Sequence, residues 1–364
     1  MDRVEFKING NTYSVGPEIS SDVTLLDYIR NVLKLTGTKY MCREAGCGAC
    51  IVAAARDAGN VPVAVNSCMV SITSCKGWEV TTIEQLGNRK NGYHILQKTL
   101  AEHNGSQCGH CSPGWIMSMY CLLQKQKDLT MLEIEKSFAS NICRCTGYRP
   151  ILEAFKTFAK DAPNNTDILD IEDLSICDKT GKFCNKTCSD DVDWCVVDQN
   201  DVKSDKVTAI LLKDGRKWYN VDAFVDLFNV LNTEGTDSYM LVAGNTAKGA
   251  YPILEYPRIL IDISGIQSLK GFFLDQNLIV GAGNSLTELL SIFDNISCRL
   301  GFEYLKEFHK HLQLVAHIAV RNIGTIGGNL MVKHQHNDFP SDLYLMFETV
   351  GTELTISKYN NMNL

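Results

Sequence analysis

The stretch "CREAGCGAC", Cys42 to Cys50, sets three cysteines and two glycines in nine residues, and a fourth cysteine follows at Cys68. Cysteines at this density serve a disulfide framework, a zinc knuckle, a redox-active thiol pair or an iron–sulfur cluster. The interval pattern C-x4-C-x2-C with a distant fourth cysteine is the plant-type 2Fe–2S spacing. Three thiolates must converge from one short loop, so its backbone has to fold tightly. Gly46 and Gly48 give that freedom and let amide N–H groups approach the cluster sulfides. Structural zinc sites favour two paired knuckles over three cysteines plus one. The spacing therefore assigns Cys42, Cys47, Cys50 and Cys68 to one 2Fe–2S cluster.

The residues around this loop predict a small mixed α/β frame. "VEFKI" alternates apolar Val4, Phe6 and Ile8, and "NGN" turns it into "TYSV", a hairpin. "TLLDYIRNVLKL" then carries Leu25, Leu26, Ile29, Val32 and Leu33 at helical spacing, with Thr24 as N-cap and Gly37 as the stop signal. A hairpin, a helix and a cysteine-rich loop, in that order, describe a β-grasp ferredoxin.

A second constellation follows: Cys108-x2-Cys111, then Cys143-x-Cys145. Four helical segments surround it: "GYHILQKTLAEH", "PGWIMSMYCLLQKQ" from Pro113, "TMLEIEKSFAS" with Thr130 and Glu133 at capping-box spacing, and "RPILEAFKTFAK" with Pro150 in its first turn. Each cysteine pair precedes a helix that opens with proline, so two helix N-termini aim partial positive charge at one place. That suits an anionic cluster, and it suits zinc as well. His110, between Cys108 and Cys111, reads as a bystander.

The chain has 364 residues, fifteen cysteines and a formal charge of −7. "MDRVEFKING" lacks the basic-then-apolar pattern of a signal peptide, which places the protein in a reducing, cytoplasmic setting where cysteines bind metal or stay reduced. No apolar run is long enough to span a bilayer. Residues 161–205 hold twelve Asp or Glu against four Lys, so the rest is close to neutral and leaves no basic face for nucleic acid. This acidic stretch reads as a linker. Its cysteines, Cys177, Cys184, Cys188 and Cys195, lack a tight CxxC knuckle and read as exposed thiols. Cys75, Cys121 and Cys298 read as small buried hydrophobes.

Beyond the linker, "VTAILLK" and "RILIDIS" predict strands, and "NVDAFVDLFNVLN" and "SLTELLSIFDN" predict helices. Two glycine-rich turns, "LVAGNTAKG" (Leu241 to Gly249) and "RNIGTIGGN" (Arg321 to Asn329), let the backbone press donors against a pyrophosphate. Neither is a GxGxxG fingerprint in a βαβ unit or a Walker loop, so a dinucleotide-binding Rossmann domain is not indicated. Each by itself reads as a plain tight turn. His334 and His336 in "LMVKHQHNDFPS" have no partnering cysteine or carboxylate motif and read as loop residues.

"CREAGCGAC" to Cys68, "GSQCGHCSPG" and "NICRCTGYRPI", in this order, resemble the N-terminal half of the molybdenum-flavin hydroxylases, the family of xanthine dehydrogenase and aldehyde oxidase. The resemblance covers essentially the whole chain and implies a multidomain α+β architecture. A β-grasp 2Fe–2S ferredoxin domain would span residues 1–90, and a four-helix 2Fe–2S domain 91–162. An acidic linker over 163–205 would lead to an α+β FAD-binding domain of the vanillyl-alcohol-oxidase type over 206–364. That last domain would be incomplete at its C-terminus, and a molybdenum domain would be absent. Ala45 departs from the family's usual glycine but removes no ligand. "DIEDL" in the linker and "LMVKHQHNDFPS" resemble the insect-type aldehyde oxidases.

Carried over by residue, the resemblance implies a second 2Fe–2S cluster on Cys108, Cys111, Cys143 and Cys145. It implies contact of molybdopterin with Gln107 and Cys145. FAD would lie on Leu241, Val242, Ala243, Gly244, Asn245, Thr246, Ala247 and Lys248, on Thr325, Ile326, Gly327, Gly328 and Asn329, and on Asp342, which would bond the flavin side chain. The implied function is the electron-transfer half of an aldehyde oxidase-like molybdenum hydroxylase. Electrons would run from molybdopterin through both clusters to FAD and oxygen, with an aldehyde or N-heterocycle as substrate of the full-length homodimer. The alternatives are a xanthine dehydrogenase using NAD, or a stand-alone or truncated iron–sulfur flavoprotein with no substrate turnover. No catalytic residue is expected in this chain.

Overall fold

A computed structural model describes residues 3–56, 59–162, 207–274 and 277–356. The four linker cysteines lie outside these residues.

The expected hairpin forms. β1 (Val4–Ile8) pairs antiparallel with β2 (Asn11–Val15) through a turn in which Asn9 and Gly10 both take positive φ (52° and 78°), the conformation that matches strand twist. Val4, Phe6 and Ile8 face inward and Glu5 and Lys7 outward. β3 (Ile51–Ala55), β4 (Val63–Asn66) and β5 (Glu79–Thr81) complete a five-stranded sheet in the order β2-β1-β5-β3-β4, with β1 and β5 parallel. Helix α1 (Leu25–Asp27), capped by the Thr24 hydroxyl, runs on as a π turn over Tyr28–Val32 and buries Leu25 and Ile29 against the sheet. The chain reverses at Lys34 (φ 60°), not at Gly37. Gly37 instead donates its N–H, at 2.8 Å, to the carboxylate of Glu84 in α2 (Ile83–Leu86).

The four expected helices form as α3 (Ile95–Glu102), α4 (Ser112–Lys125), α5 (Met131–Ser137) and α6 (Arg149–Lys156). The Thr130–Glu133 capping box is present, and His94 with Gln97 makes another. These helices close over Trp115, Phe138 and Phe155, whose rings lie 5.0 and 5.3 Å apart along the series. Burying each such ring contributes roughly 1.5–3 kcal/mol.

The third part opens with β6 (Thr208–Leu211), β7 (Lys217–Asn220), α7 (Phe224–Glu234), β8 (Tyr239–Val242) and β9 (Ile259–Asp262). Its sheet order is β6-β7-β9-β8, with β9 parallel to both neighbours. The hairpin β10 (Phe272–Leu274) and β11 (Leu278–Val280) leads to α8 (Leu286–Ile296), α9 (Leu305–Leu312), α10 (Ile318–Arg321), α11 (Ile326–Gln335) and α12 (Asp342–Thr349). One apolar cluster is shared between the first and third parts. Val52, Ile72 and Trp78 of the first pack with Trp218, Val242 and Leu260 of the third. Burial across this seam fixes the cysteine loop relative to the glycine turns.

Two further expectations are corrected. His334 lies within α11, because Thr325 caps and starts a helix where the glycines suggested only a turn, while His336 follows the helix in extended backbone as a loop residue, stacked on Tyr251 at 4.1 Å. Cys298 is exposed, just beyond the end of α8, whereas Cys75 and Cys121 are buried as expected.

Candidate iron–sulfur and flavin sites

The first four thiols converge in two contacting pairs, Cys42 with Cys47 and Cys50 with Cys68. The other four do the same, Cys108 with Cys145 and Cys111 with Cys143. Among the described residues, no three His, Cys, Asp or Glu side chains converge on a single metal ion. Two thiols for each of two metals is the division a 2Fe–2S cluster needs. The donor set thus fits the cluster at both places.

Within each pair the proton is unevenly shared. The hydrogen bond to Cys68, then burial, pushes Cys50 well up, while the same bond holds Cys68 down with help from the Ala45 N–H. Burial raises Cys47. Burial likewise drives Cys111 up to about 12. Burial also disfavours the Cys143 thiolate, but the Thr146 hydroxyl, 3.0 Å from its sulfur, and neighbouring N–H groups bring it below the ordinary value. The His110 N–H lowers Cys108, and the bond to Cys108 raises Cys145. Cluster assembly must displace the protons on the raised member of each pair, which metal–thiolate bonding does.

The two quartets differ in surroundings. Cys47, Cys50 and Cys68 are buried, whereas Cys108 and Cys145 are exposed, together with Gln107. Between the quartets, α4 abuts the first cysteine loop. A Cβ on Gly114 would stand 2.2 Å from the Gly48 carbonyl oxygen. The Ile142 N–H donates to the Cys47 carbonyl at 3.0 Å, so one hydrogen bond links a residue of the first quartet to the neighbour of Cys143. His110 is no ligand, but its Nε2 lies 3.0 Å from the Tyr40 carbonyl and ties the second loop to the approach of the first.

The glycine turns line an open cleft of about 3120 Å³. Leu241–Lys248, Thr325, Gly327, Gly328, Asn329 and Asp342 all reach it, but the Ile326 side chain is buried in the helical core instead. The turns differ in what they offer a phosphate. In the second, the N–H groups of Ile326, Gly327 and Gly328 already donate to the Asn284 carbonyl, the Ala282 carbonyl and the Thr325 hydroxyl. In the first, Asn245 is left-handed (φ 53°), and among the described residues the N–H groups of Gly244, Asn245 and Thr246 donate to no protein acceptor. Successive free N–H groups around a left-handed residue form an anion-binding nest, and Lys248 adds a cation beside it. The residues fit a pyrophosphate here, and the second turn packs directly against them at Gly244. Asp342 accepts from His311 Nε2 at 2.9 Å.

The first turn also touches the cysteine loop, since a Cβ on Gly249 would lie 2.7 Å from the Glu44 carbonyl oxygen. Arg56 pins the same seam by donating to the Asn322 carbonyl at 2.6 Å, and Asn322 donates back to the Ala64 carbonyl at 2.9 Å. No sequence motif marked Arg56 or Tyr251, which are isolated residues brought to the site by the fold, whereas Asn322 lies in the second glycine-rich stretch.

The two sets of paired thiols and the anion nest, joined by backbone contacts through the first cysteine loop, fit an iron–sulfur flavoprotein. Comparison with known proteins gives the family. The 2Fe-2S iron-sulfur cluster binding domain matches residues 6–73, a [2Fe-2S] binding domain residues 82–156, and the FAD binding domain in molybdopterin dehydrogenase residues 213–363. Xanthine dehydrogenase 2 of Arabidopsis thaliana is 36% identical over 366 residues, 86% of this chain and 26% of that protein. Abscisic-aldehyde oxidase of Arabidopsis thaliana is 32% identical over 374 residues, 96% of this chain and 27% of that one. Among solved structures, the aldehyde oxidoreductase from Desulfovibrio gigas is 33% identical, with 43% of this chain and 17% of that chain covered at a TM-score of 0.39. The chain spans about a quarter of the length of these two plant relatives. It belongs to the molybdenum-flavin hydroxylases, the family of xanthine dehydrogenase and aldehyde oxidase, and matches their iron–sulfur and flavin parts. Among the described residues no helix is long and apolar enough to cross a membrane.

Proposed function

We propose that this chain is the electron relay of an aldehyde oxidase-like hydroxylase. Cys42, Cys47, Cys50 and Cys68 hold one 2Fe–2S cluster, and Cys108, Cys111, Cys143 and Cys145 the other. The Gly244–Thr246 nest, with Lys248, carries the FAD pyrophosphate, while Thr325, Gly327, Gly328 and Asn329 shape the wall beside it. Bound flavin supplies an acceptor able to take electrons singly and release them in pairs. The protein's part is to position and desolvate the centres, and burial of Cys47, Cys50 and Cys68 serves the first of them. Gln107 and Cys145, exposed on the far side of the second quartet, would face molybdopterin from the rest of the enzyme. An aldehyde or N-heterocycle substrate, a homodimer and a reducing compartment go with this reading.

The observation that carries it is the unbroken contact from α4 through Gly48 and Glu44 to Gly249. The test is spectroscopic. Reduced protein should show two distinct paramagnetic signals, and Cys47→Ser should abolish one while leaving the other. Zinc in place of four irons per chain would refute the assignment.

A further inference from the structure

Arg321 ends α10, and among the described residues every hydrogen bond of its guanidinium goes to a backbone carbonyl of the turn between α9 and α10. Nη1 donates to Gln313 at 2.9 Å, to Val315 at 3.0 Å and to Ala316 at 2.7 Å, so its hydrogens are shared among three acceptors. Gln313 is the C-cap of α9, where carbonyls lack partners within the helix and the helix dipole favours a cation. These bonds form against opposition. Arg321 is half-buried, and burial lowers its pKa from the ordinary value. The turn itself is strained, because Ala316 holds left-handed backbone at φ 53°, which a Cβ disfavours.

Val315 and Ala316 line the flavin cleft, and so do Ile323 and Gly324, just beyond Arg321. Gly324 lies against the nest, since a Cβ there would stand 3.1 Å from Thr246 Oγ1. Arg321 therefore stands between two stretches of the cleft lining and ties the first to the helix that leads into the second. Resting on the assignment of this cleft to FAD, we propose that Arg321 is a positioning residue for flavin binding. Its Nη1 holds the Gln313–Ala316 turn closed and keeps Ala316 left-handed, so that Val315 and Ala316 are in place before the cofactor enters. Without the guanidinium the three carbonyls turn to water, Ala316 relaxes to negative φ, and FAD must rebuild this lining as it binds. Such lost preorganisation is a cost on affinity.

The test is titration of the full chain, carrying both clusters and stripped of flavin, with FAD, followed by the flavin's fluorescence. Arg321→Met keeps an unbranched apolar stem and removes every donor. It should bind FAD about ten- to hundredfold more weakly, the scale of hydrogen bonds from one charged donor, with both paramagnetic signals unchanged. Glycine takes positive φ without strain, so adding Ala316→Gly should restore much of the affinity, a rescue that a purely structural role for Arg321 does not give. Affinity within twofold of the parent in Arg321→Met, or a loss undiminished in the double variant, would overturn the proposal. Should the methionine variant fail to fold, Arg321→Lys keeps the charge without the planar fork and should bind FAD at least threefold more weakly. Affinity within twofold of the parent there, or a loss that Ala316→Gly leaves undiminished, would equally overturn it. A parent chain that takes up no FAD, or a Gly244→Ala chain that takes up as much as the parent, would refute the cleft assignment itself, and this inference with it.

Discussion

Gly114→Ala sets two effects of opposite sign against each other. Gly114 is the third residue of α4, and glycine to alanine within a helix ordinarily stabilises by about 0.8–1.0 kcal/mol. Here the new Cβ would lie 2.2 Å from the Gly48 oxygen, 3.0 Å from Ala49 Cα and 3.1 Å from the Gly48 carbonyl carbon. All three are backbone atoms of a loop fixed by Cys47 and Cys50 on either side, so no side chain can rotate away. To move from 2.2 to at least 3.0 Å, the helix must retreat by about 0.8 Å. That retreat stretches the 3.0 Å bond from Ile142 to the Cys47 carbonyl and the 3.5 Å contact from Asn141 Nδ2 to the Gly48 carbonyl. Overpacking costs roughly 1–3 kcal/mol and a weakened hydrogen bond up to about 1 kcal/mol more, so the clash outweighs the helix gain. The expected net loss is up to about 3 kcal/mol, centred on about 1.5 kcal/mol. Thermal unfolding of the cluster-loaded chain should show a lower midpoint, and the magnetic interaction between the two reduced clusters should weaken as they part. A variant as stable as its parent, with that interaction unchanged, would refute the reasoning.

Gly244→Ala should lose flavin, because its Cβ would meet the Ile323 carbonyl oxygen at 1.9 Å and prise the two turns apart, whereas Gly328→Ala, which meets only the Thr325 hydroxyl at 3.0 Å, should keep it. Equal flavin contents in the two variants would count against the wall-and-nest assignment. Hydrogen bonds from Lys217 and Tyr219 hold the Glu234 carboxyl below its ordinary 4.5. Its stabilisation is therefore complete above pH 4.5 and is lost as pH falls through the lowered folded value, so acid unfolding curves of Glu234→Gln should converge with the parent there and lie below it at neutral pH. Thr130→Ala removes the α5 capping box and should cost about 1 kcal/mol in urea unfolding.

What was readable in the sequence was local chemistry. Alternation over Val4–Ile8, the positive-φ pair Asn9 and Gly10, the Thr130–Glu133 box and Pro113 and Pro150 each act within a few residues, so hairpin and helices formed where their patterns lie. Cysteine spacing is likewise local, and it marked eight thiols that lie in four contacting pairs. The strand Lys217–Asn220 lacks the apolar runs of "VTAILLK" and "RILIDIS", Tyr239–Val242 runs into the first glycine-rich turn, and pairing with β9 makes both of them strands. Nor could spacing tell that the two glycine turns have different jobs. That depends on Ala282 and Asn284, distant in sequence, which occupy the second turn's N–H groups and leave the first turn's free. Residue identity and spacing marked which atoms can bind iron. That Gly114, Gly249 and His317 meet around the first cysteine loop follows from the folded chain, since these contacts join residues up to 272 positions apart and exist only once the shared apolar core has closed.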